Sequence, residues 1–241
     1  MGTAALSGSI ESVRRTAVWL FFRLLLPEPA VEFDDDRKRA FETHYQSMRK
    51  HPDTETVSGL SYPISEFLAY LAKHKPVLFH GTTRADIGTF EPREQTDWQG
   101  NPTEAVFATK DAALATFFAV VAREQVGMSI RNGGYLVSKP GGGTERRYLF
   151  SVSEDTGPTS LFADGTVFLF DEELFEASSC GAVGFDEWYC HQPVAPLGKL
   201  AVTPDDFPFI SAVSFHSVRE SLLRTMLLYR WRIRRGHTVS D

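Results

Sequence analysis

Cysteine is scarce in this chain. Only Cys180 and Cys190 occur among its 241 residues, too few for a disulfide framework and without the CxxC pairing of a zinc site. Both read as ordinary buried or half-buried thiols, suited to a reducing cytoplasm. Long apolar runs are missing as well. The segment Ala17 to Leu26, AVWLFFRLLL, invites comparison with a membrane span. It falls well short of the ~20 apolar residues that a bilayer requires, and Arg23 interrupts it. That internal charge, and Pro27-Glu28-Pro29 after it, argue against a signal peptide. A helix packed on the domain or on a partner is expected instead. Nor is there an excess of positive charge. The 25 Lys and Arg against 31 Asp and Glu leave a net charge of −6, which disfavours wrapping duplex nucleic acid as the whole function. Phosphate-loop glycine patterns are lacking too. Pro140-Gly141-Gly142-Gly143 continues into neither a GK[ST] nor a GxGxxG frame and reads as a flexible loop.

What is plentiful is phenylalanine. Nineteen Phe in a chain that is 42% hydrophobic and 23% charged imply a globular protein with an aromatic-rich core. The length suits one domain with additions. Residues 1–75 read as a helical extension. Pro27 and Pro29 end its first apolar segment. Asp34-Asp35-Asp36 ahead of Arg37-Lys38-Arg39 fits a helix N-terminus, with the helix running to about Lys50. Phe67, Leu68 and Leu71 then fall at helical spacing. From Pro76 the pattern changes. Val77–Phe79, Ala105–Ala108, Tyr148–Val152, Thr166–Phe170 and Lys199–Val202 read as short strands, another starts at Glu187, and Lys110–Ala122 has strong helix propensity. Residues 208–241 form a basic tail in which Arg219, Arg224, Arg230, Arg232, Arg234 and Arg235 interleave with Leu222, Leu223, Met226, Leu227, Leu228, Tyr229 and Trp231. Helices grouped apart from strands mark the class as α+β, with a catalytic domain expected over 76–207. The tail has three readings: an apolar face packed on the domain, contact with nucleic-acid phosphates or an anionic membrane, or a partner protein.

Three segments carry chemistry. In Leu78-Phe79-His80-Gly81-Thr82 a histidine leaves a buried strand and meets glycine, which lets a ligand approach the backbone closely. Ala105-Val106-Phe107-Ala108-Thr109, followed by Ala115-Thr116-Phe117-Phe118, places aromatic rings on a strand and on the helix after it. In Phe185-Asp186-Glu187-Trp188-Tyr189 a carboxylate opens a strand among aromatic neighbours, where burial demands a partner. Arg84 and Arg93 follow the histidine; they read either as bidentate pyrophosphate ligands or as solvated surface arginines.

In this order the segments resemble the ADP-ribosyltransferase superfamily, in its His-Tyr-Glu branch of diphtheria-toxin and poly(ADP-ribose) polymerase type. His80-Gly81-Thr82 matches the branch's His-Gly-Ser/Thr stretch, Phe107 and Phe118 fall at its two tyrosines, and Glu187 falls at its glutamate. The resemblance covers roughly residues 76–207. It implies a split β-sandwich core carrying added N-terminal helices and a basic C-terminal helix. It implies NAD as substrate and no metal. His80 would hold the adenosine ribose, Gly81 the nicotinamide carboxamide, and Phe107 and Phe118 would sandwich the nicotinamide ring. Breaking the nicotinamide–ribose bond passes through an oxocarbenium-like state. Glu187 would stabilise that cation and hold the 2′-hydroxyl. Phe at both tyrosine positions keeps the stack and loses two hydroxyls. Ala115 stands where the family often has Ser, and Phe185 stands where the arginine-modifying branch has a Glu or Gln. The expected activity is transfer of ADP-ribose to a protein, nucleic-acid or small-molecule acceptor, in the manner of a bacterial toxin or defence effector. NAD hydrolysis, RNA 2′-phosphotransfer and a non-catalytic nucleotide- or partner-binding module are the alternatives, the second disfavoured by Glu187.

Overall fold

A computed structural model describes residues 2–51, 60–122, 130–154, 161–178 and 182–239, with side chains from Ser12 onward. Cys180 lies outside the described residues. Helix α1 (Gly2–Phe22) stops short of Pro27, and Leu26–Pro27 pairs as a two-residue strand, β1, with Tyr148 and Arg147. Asp34 caps α2 (Asp35–Lys50) by accepting from the Arg37 amide at 2.8 Å. Asp35 and Asp36 occupy its first turn and Arg49 and Lys50 its last, the order the helix dipole favours. Helix α3 (Ile64–His74) buries Phe67, Leu68, Tyr70 and Leu71.

The strands form three sheets. β2 (Val77–Thr82), β7 (Gly165–Asp171) and β11 (Gly198–Val202) make an antiparallel sheet in the order β11-β7-β2. β3 (Arg93–Thr96), β4 (Pro102–Ala108), β8 (Glu176–Ala177) and β10 (Trp188–Cys190) make a second, in the order β3-β4-β10-β8. The third holds β1, β5 (Ile130–Ser138), β6 (Thr144–Ser153) and β9 (Val183–Phe185) in the order β1-β6-β5-β9, with β12 (Ser214–His216) parallel to β6. The first two sheets meet at an isolated bridge, Phe79 to Thr109, closed by main-chain bonds of 2.8 and 3.0 Å. The architecture is α+β.

Helix α4 (Ala112–Val120) lies against β2 and β7. Two glycines let it do so. A Cβ on Gly81 would lie 1.8 Å from the Ala115 carbonyl oxygen, and one on Gly165 would lie 1.9 Å from that of Ala119. The largest core cluster gathers around this contact and includes Phe79, Phe117, Phe150 and Phe207, with Phe41 and Met48 of α2 and Phe67 of α3.

Gly141, Gly142 and Gly143, read as a flexible loop, form the tip of the β5–β6 hairpin, with φ of 91°, 106° and 77°. Only glycine enters that region without strain. Packing runs across the expected boundaries at 75/76 and 207/208. The N-terminal helices share the largest cluster with the strands, as do Phe209, Ala212 and Val213 from beyond the second boundary. Helix α5 (Leu222–Arg234) buries Met226 and Tyr229 in a third cluster with Leu25, Tyr135 and Leu149.

Candidate functional site

Strand pairing brings the segments of β2, β4 and β10 side by side. Trp188 pairs with Ala108 and Tyr189 with Phe107. Half-buried Glu187 sits just ahead of β10, where its Oε2 accepts from the Tyr189 hydroxyl at 2.7 Å and from the Trp98 amide at 3.1 Å. The Asp97–Asn101 turn aims that amide: Asp97 Oδ1 accepts from the Gln99 and Asn101 amides at 2.9 and 2.7 Å. The Tyr189 ring stands edge-on to Phe107, with centroids 5.2 Å apart. Burial, then the neighbouring Glu187 carboxylate, raise the Tyr189 phenol above its ordinary pKa. The phenol therefore remains a hydrogen-bond donor to Glu187 at neutral pH.

His80 approaches this group from the other side of the sheet. Its Nδ1 lies 2.7 Å from the Phe107 carbonyl oxygen, and its ring stands edge-on to Phe90 at 5.0 Å. Leu78, Phe90, Val106, Ala108 and Cys190 belong to the second core cluster, with Trp188 packed on it. Strand alternation then puts Phe107 and Tyr189 on the opposite face. His80 thus meets Phe107 at its main chain, while Glu187 meets the same residue's face through Tyr189.

Gly81 gives its open side to α4, so the missing side chain serves helix packing where the sequence suggested ligand approach. Thr82 Oγ1 accepts from the Arg84 amide at 3.2 Å. Arg84 is exposed and paired with Asp86 at 3.1 Å. Arg93 is exposed on β3, paired with Ala105 of β4. Phe118 is half-buried against the largest cluster beside Phe117, with centroids 5.8 Å apart.

The sequence did not point to a second polar group, next to the first in the chain. Asp111 caps α4 and is 1% exposed; its Oδ1 accepts from the Leu114 amide and from the Tyr148 hydroxyl, each at 3.0 Å. Its Oδ2 faces Arg146 Nη1 at 3.2 Å. The same guanidinium pairs through Nη2 with Asp186, which also accepts from Trp188 Nε1 at 2.7 Å. Burial pushes the Asp111 carboxyl above its ordinary pKa, and Arg146 only partly opposes this. Asp111 and Arg146 line a cavity of about 700 Å³, walled by Pro29, Phe33, Leu68 and Ala113. An aspartate before an Ala-rich helix is a recognisable N-cap, but nothing in the sequence pairs it with Arg146. Among the described residues no group of three His, Cys, Asp or Glu is placed to hold a metal ion.

The chain was compared with protein-family models, curated proteins and solved structures. It matches none of them. Any functional reading therefore stands on its own residues and their geometry.

Proposed function

We propose that the chain cleaves the nicotinamide–ribose bond of NAD and passes ADP-ribose to an acceptor, on an ADP-ribosyltransferase-like split sheet. One observation carries the reading. The sheets bearing His80 and Glu187 touch at a single described bridge, Phe79 to Thr109, where His80 bonds the Phe107 carbonyl and Glu187, on the other face, reaches the Phe107 ring through Tyr189. A dinucleotide would have to cross that seam, from the Tyr189 face to the His80 face, to put its nicotinamide ribose near Glu187 and its adenosine ribose near His80. Glu187, already oriented by Tyr189 and the Trp98 amide, would stabilise the oxocarbenium-like cation, a charge developed only in the transition state. Tyr189 restores beside Phe107 a phenol that phenylalanine at 107 and 118 lacks. The acceptor then takes the anomeric carbon as nicotinamide leaves, a proton passing from the acceptor to Glu187 or solvent.

The test is nicotinamide release from NAD by the purified chain, with and without cell lysate as a source of acceptors. Glu187→Gln keeps the shape and removes the charge. We expect it to lower the rate about 10²- to 10³-fold, which is about 3–4 kcal/mol of barrier. Free ADP-ribose as sole product would make the chain a glycohydrolase; label on protein, nucleic acid or a small molecule would make it a transferase. Wild-type rates in Glu187→Gln, or no release under either condition, would overturn the proposal.

A further inference from the structure

The exposed apolar surface is concentrated on two helices. Of the nine large hydrophobic residues exposed among those described, Leu222, Leu223, Leu227 and Trp231 lie on α5, and Val13, Leu20 and Leu24 lie on or just after α1. Leu223, Leu227 and Trp231 recur every fourth residue, 57%, 53% and 55% exposed, which makes a stripe along one face of α5. The opposite face is the buried one, with Thr225, Met226, Tyr229 and Arg232 turned inward. The stripe is therefore surplus to folding. Trp19, Phe21 and Phe22 of α1 pack on the same cluster as Met226 and Tyr229, and Arg230 Nη1 reaches the Arg23 carbonyl at 3.4 Å.

Charge on these segments is one-sided. Residues 12–27 and 221–239 contain no Asp or Glu, in a chain with 31 of them. Both segments carry exposed arginines, including Arg14 and Arg23 on the first and Arg224, Arg230, Arg234 and Arg235 on the second. The one buried arginine of α5, Arg232, is neutralised by Glu220 at 2.6 Å. Arg235 lies over the exposed Trp231 ring at 5.5 Å. A chain of net charge −6 thus presents one cationic face, striped with leucine and tryptophan. Nucleic-acid phosphates would engage the arginines and leave the leucines in water. A bilayer with anionic headgroups engages both at once, because apolar side chains enter the acyl boundary while arginines stay at the phosphates. No helix among the described residues is long and apolar enough to cross a membrane, so contact through this face is peripheral.

We infer that α5, with the adjoining end of α1, docks the protein on an anionic lipid surface, Leu223, Leu227 and Trp231 inserting and Arg230 and Arg234 pairing with headgroup phosphates. This is independent of the NAD reading, and its test reads binding alone. The full chain is floated with vesicles of phosphatidylcholine and with vesicles containing about 30 mol% phosphatidylglycerol, an anionic fraction that gives the surface its negative potential. Binding to the anionic vesicles is expected, with little to the neutral ones, and it should fall when salt is raised from about 0.1 M to about 0.5 M. Changing Arg230→Gln and Arg234→Gln together should weaken it about thirtyfold, at roughly one headgroup contact per arginine. Leu223→Ser with Leu227→Ser should weaken it at least as much. Both pairs are exposed, and circular dichroism verifies that the variants fold. No binding to anionic vesicles would overturn the inference. So would binding that survives loss of the two leucines, or a preference for a short DNA duplex over the vesicles in direct competition.

Discussion

Gly81 illustrates how one residue serves two different arguments. In the sequence it looks like a place where a ligand nears the backbone. In the fold its side-chain direction is occupied by α4, with the Ala115 carbonyl oxygen and the Ala119 amide nitrogen 1.8 and 2.7 Å from where a Cβ would stand. Helix backbone cannot yield as a flexible side chain does, so Gly81→Ala must lift α4 off β2 and β7. Overpacking of this kind costs roughly 3 kcal/mol, a large share of a domain's stability. Gly165→Ala, which meets the same helix, should behave alike, whereas Gly88→Ala, with nothing within 4 Å, should be near neutral. Urea unfolding of the three variants decides the matter. A Gly81→Ala protein as stable as the Gly88→Ala one would return Gly81 to a ligand-facing role.

At the scale of elements, the junction of β6, β12 and α5 makes stability depend on pH. His216 on β12 is fully buried, its Nδ1 2.9 Å from Ser151 Oγ of β6. Burial, then the positive charges of Arg131 and Arg232, push its pKa down to about 4 against the smaller opposing effect of Glu220 and Glu154. The folded state therefore resists a proton that the unfolded chain accepts near 6.5. The stabilisation is complete above that value and is lost as pH falls towards about 4, by roughly 3 kcal/mol in all. Glu220, held down to about 2 by hydrogen bonding from Arg232, adds a loss of its own only below its unfolded value near 4.5. Urea midpoints taken between pH 7 and pH 4 should fall steadily in the wild type and flatten in His216→Asn. An equal slope in the variant would place the titration elsewhere. The same scale explains what was legible beforehand. Helices α2, α3 and α4 could be read because caps, apolar spacing and alanine content are local signals. Strand β5 escaped because Asn132-Gly133-Gly134 has the composition of a turn. Gly134 is there because a Cβ would lie 2.4 Å from Asp111 Oδ2, a contact between residues 23 apart in sequence. The candidate site divides the same way. His80 and Glu187 were visible in short motifs, whereas the Trp98 amide and the Arg146 link between Asp111 and Asp186 exist only once the sheets form.

For the whole molecule, the question is whether residues 76–207 hold together without the segments that flank them. Packing ties them to both flanks. Leu25 and Leu26 of the N-terminal segment bury against the third sheet, and β1 hydrogen-bonds along the edge of β6. Beyond residue 207, β12 adds a parallel strand to β6, with Ser214 and His216 fully buried against it. Tyr229 of α5 is also fully buried: its hydroxyl donates to the Ala212 carbonyl at 3.0 Å and accepts from the Phe150 amide at 3.2 Å. Removing the tail would strip Phe209, Val213, Met226 and Tyr229 from two core clusters and leave that Phe150 amide without its acceptor. Each large side chain lost from a core costs about 2–5 kcal/mol, and a domain holds only about 5–15 in total. A chain of residues 1–207 is therefore expected to lose cooperative unfolding and to gain exposed apolar surface, seen as a broad thermal transition and dye binding. The single change Tyr229→Phe, which keeps the ring and deletes the hydroxyl, should keep a sharp transition and lower stability by about 1–3 kcal/mol. If the truncated chain instead melts as sharply as the full one, the tail is an appendage and the seam between His80 and Glu187 belongs to a self-sufficient core.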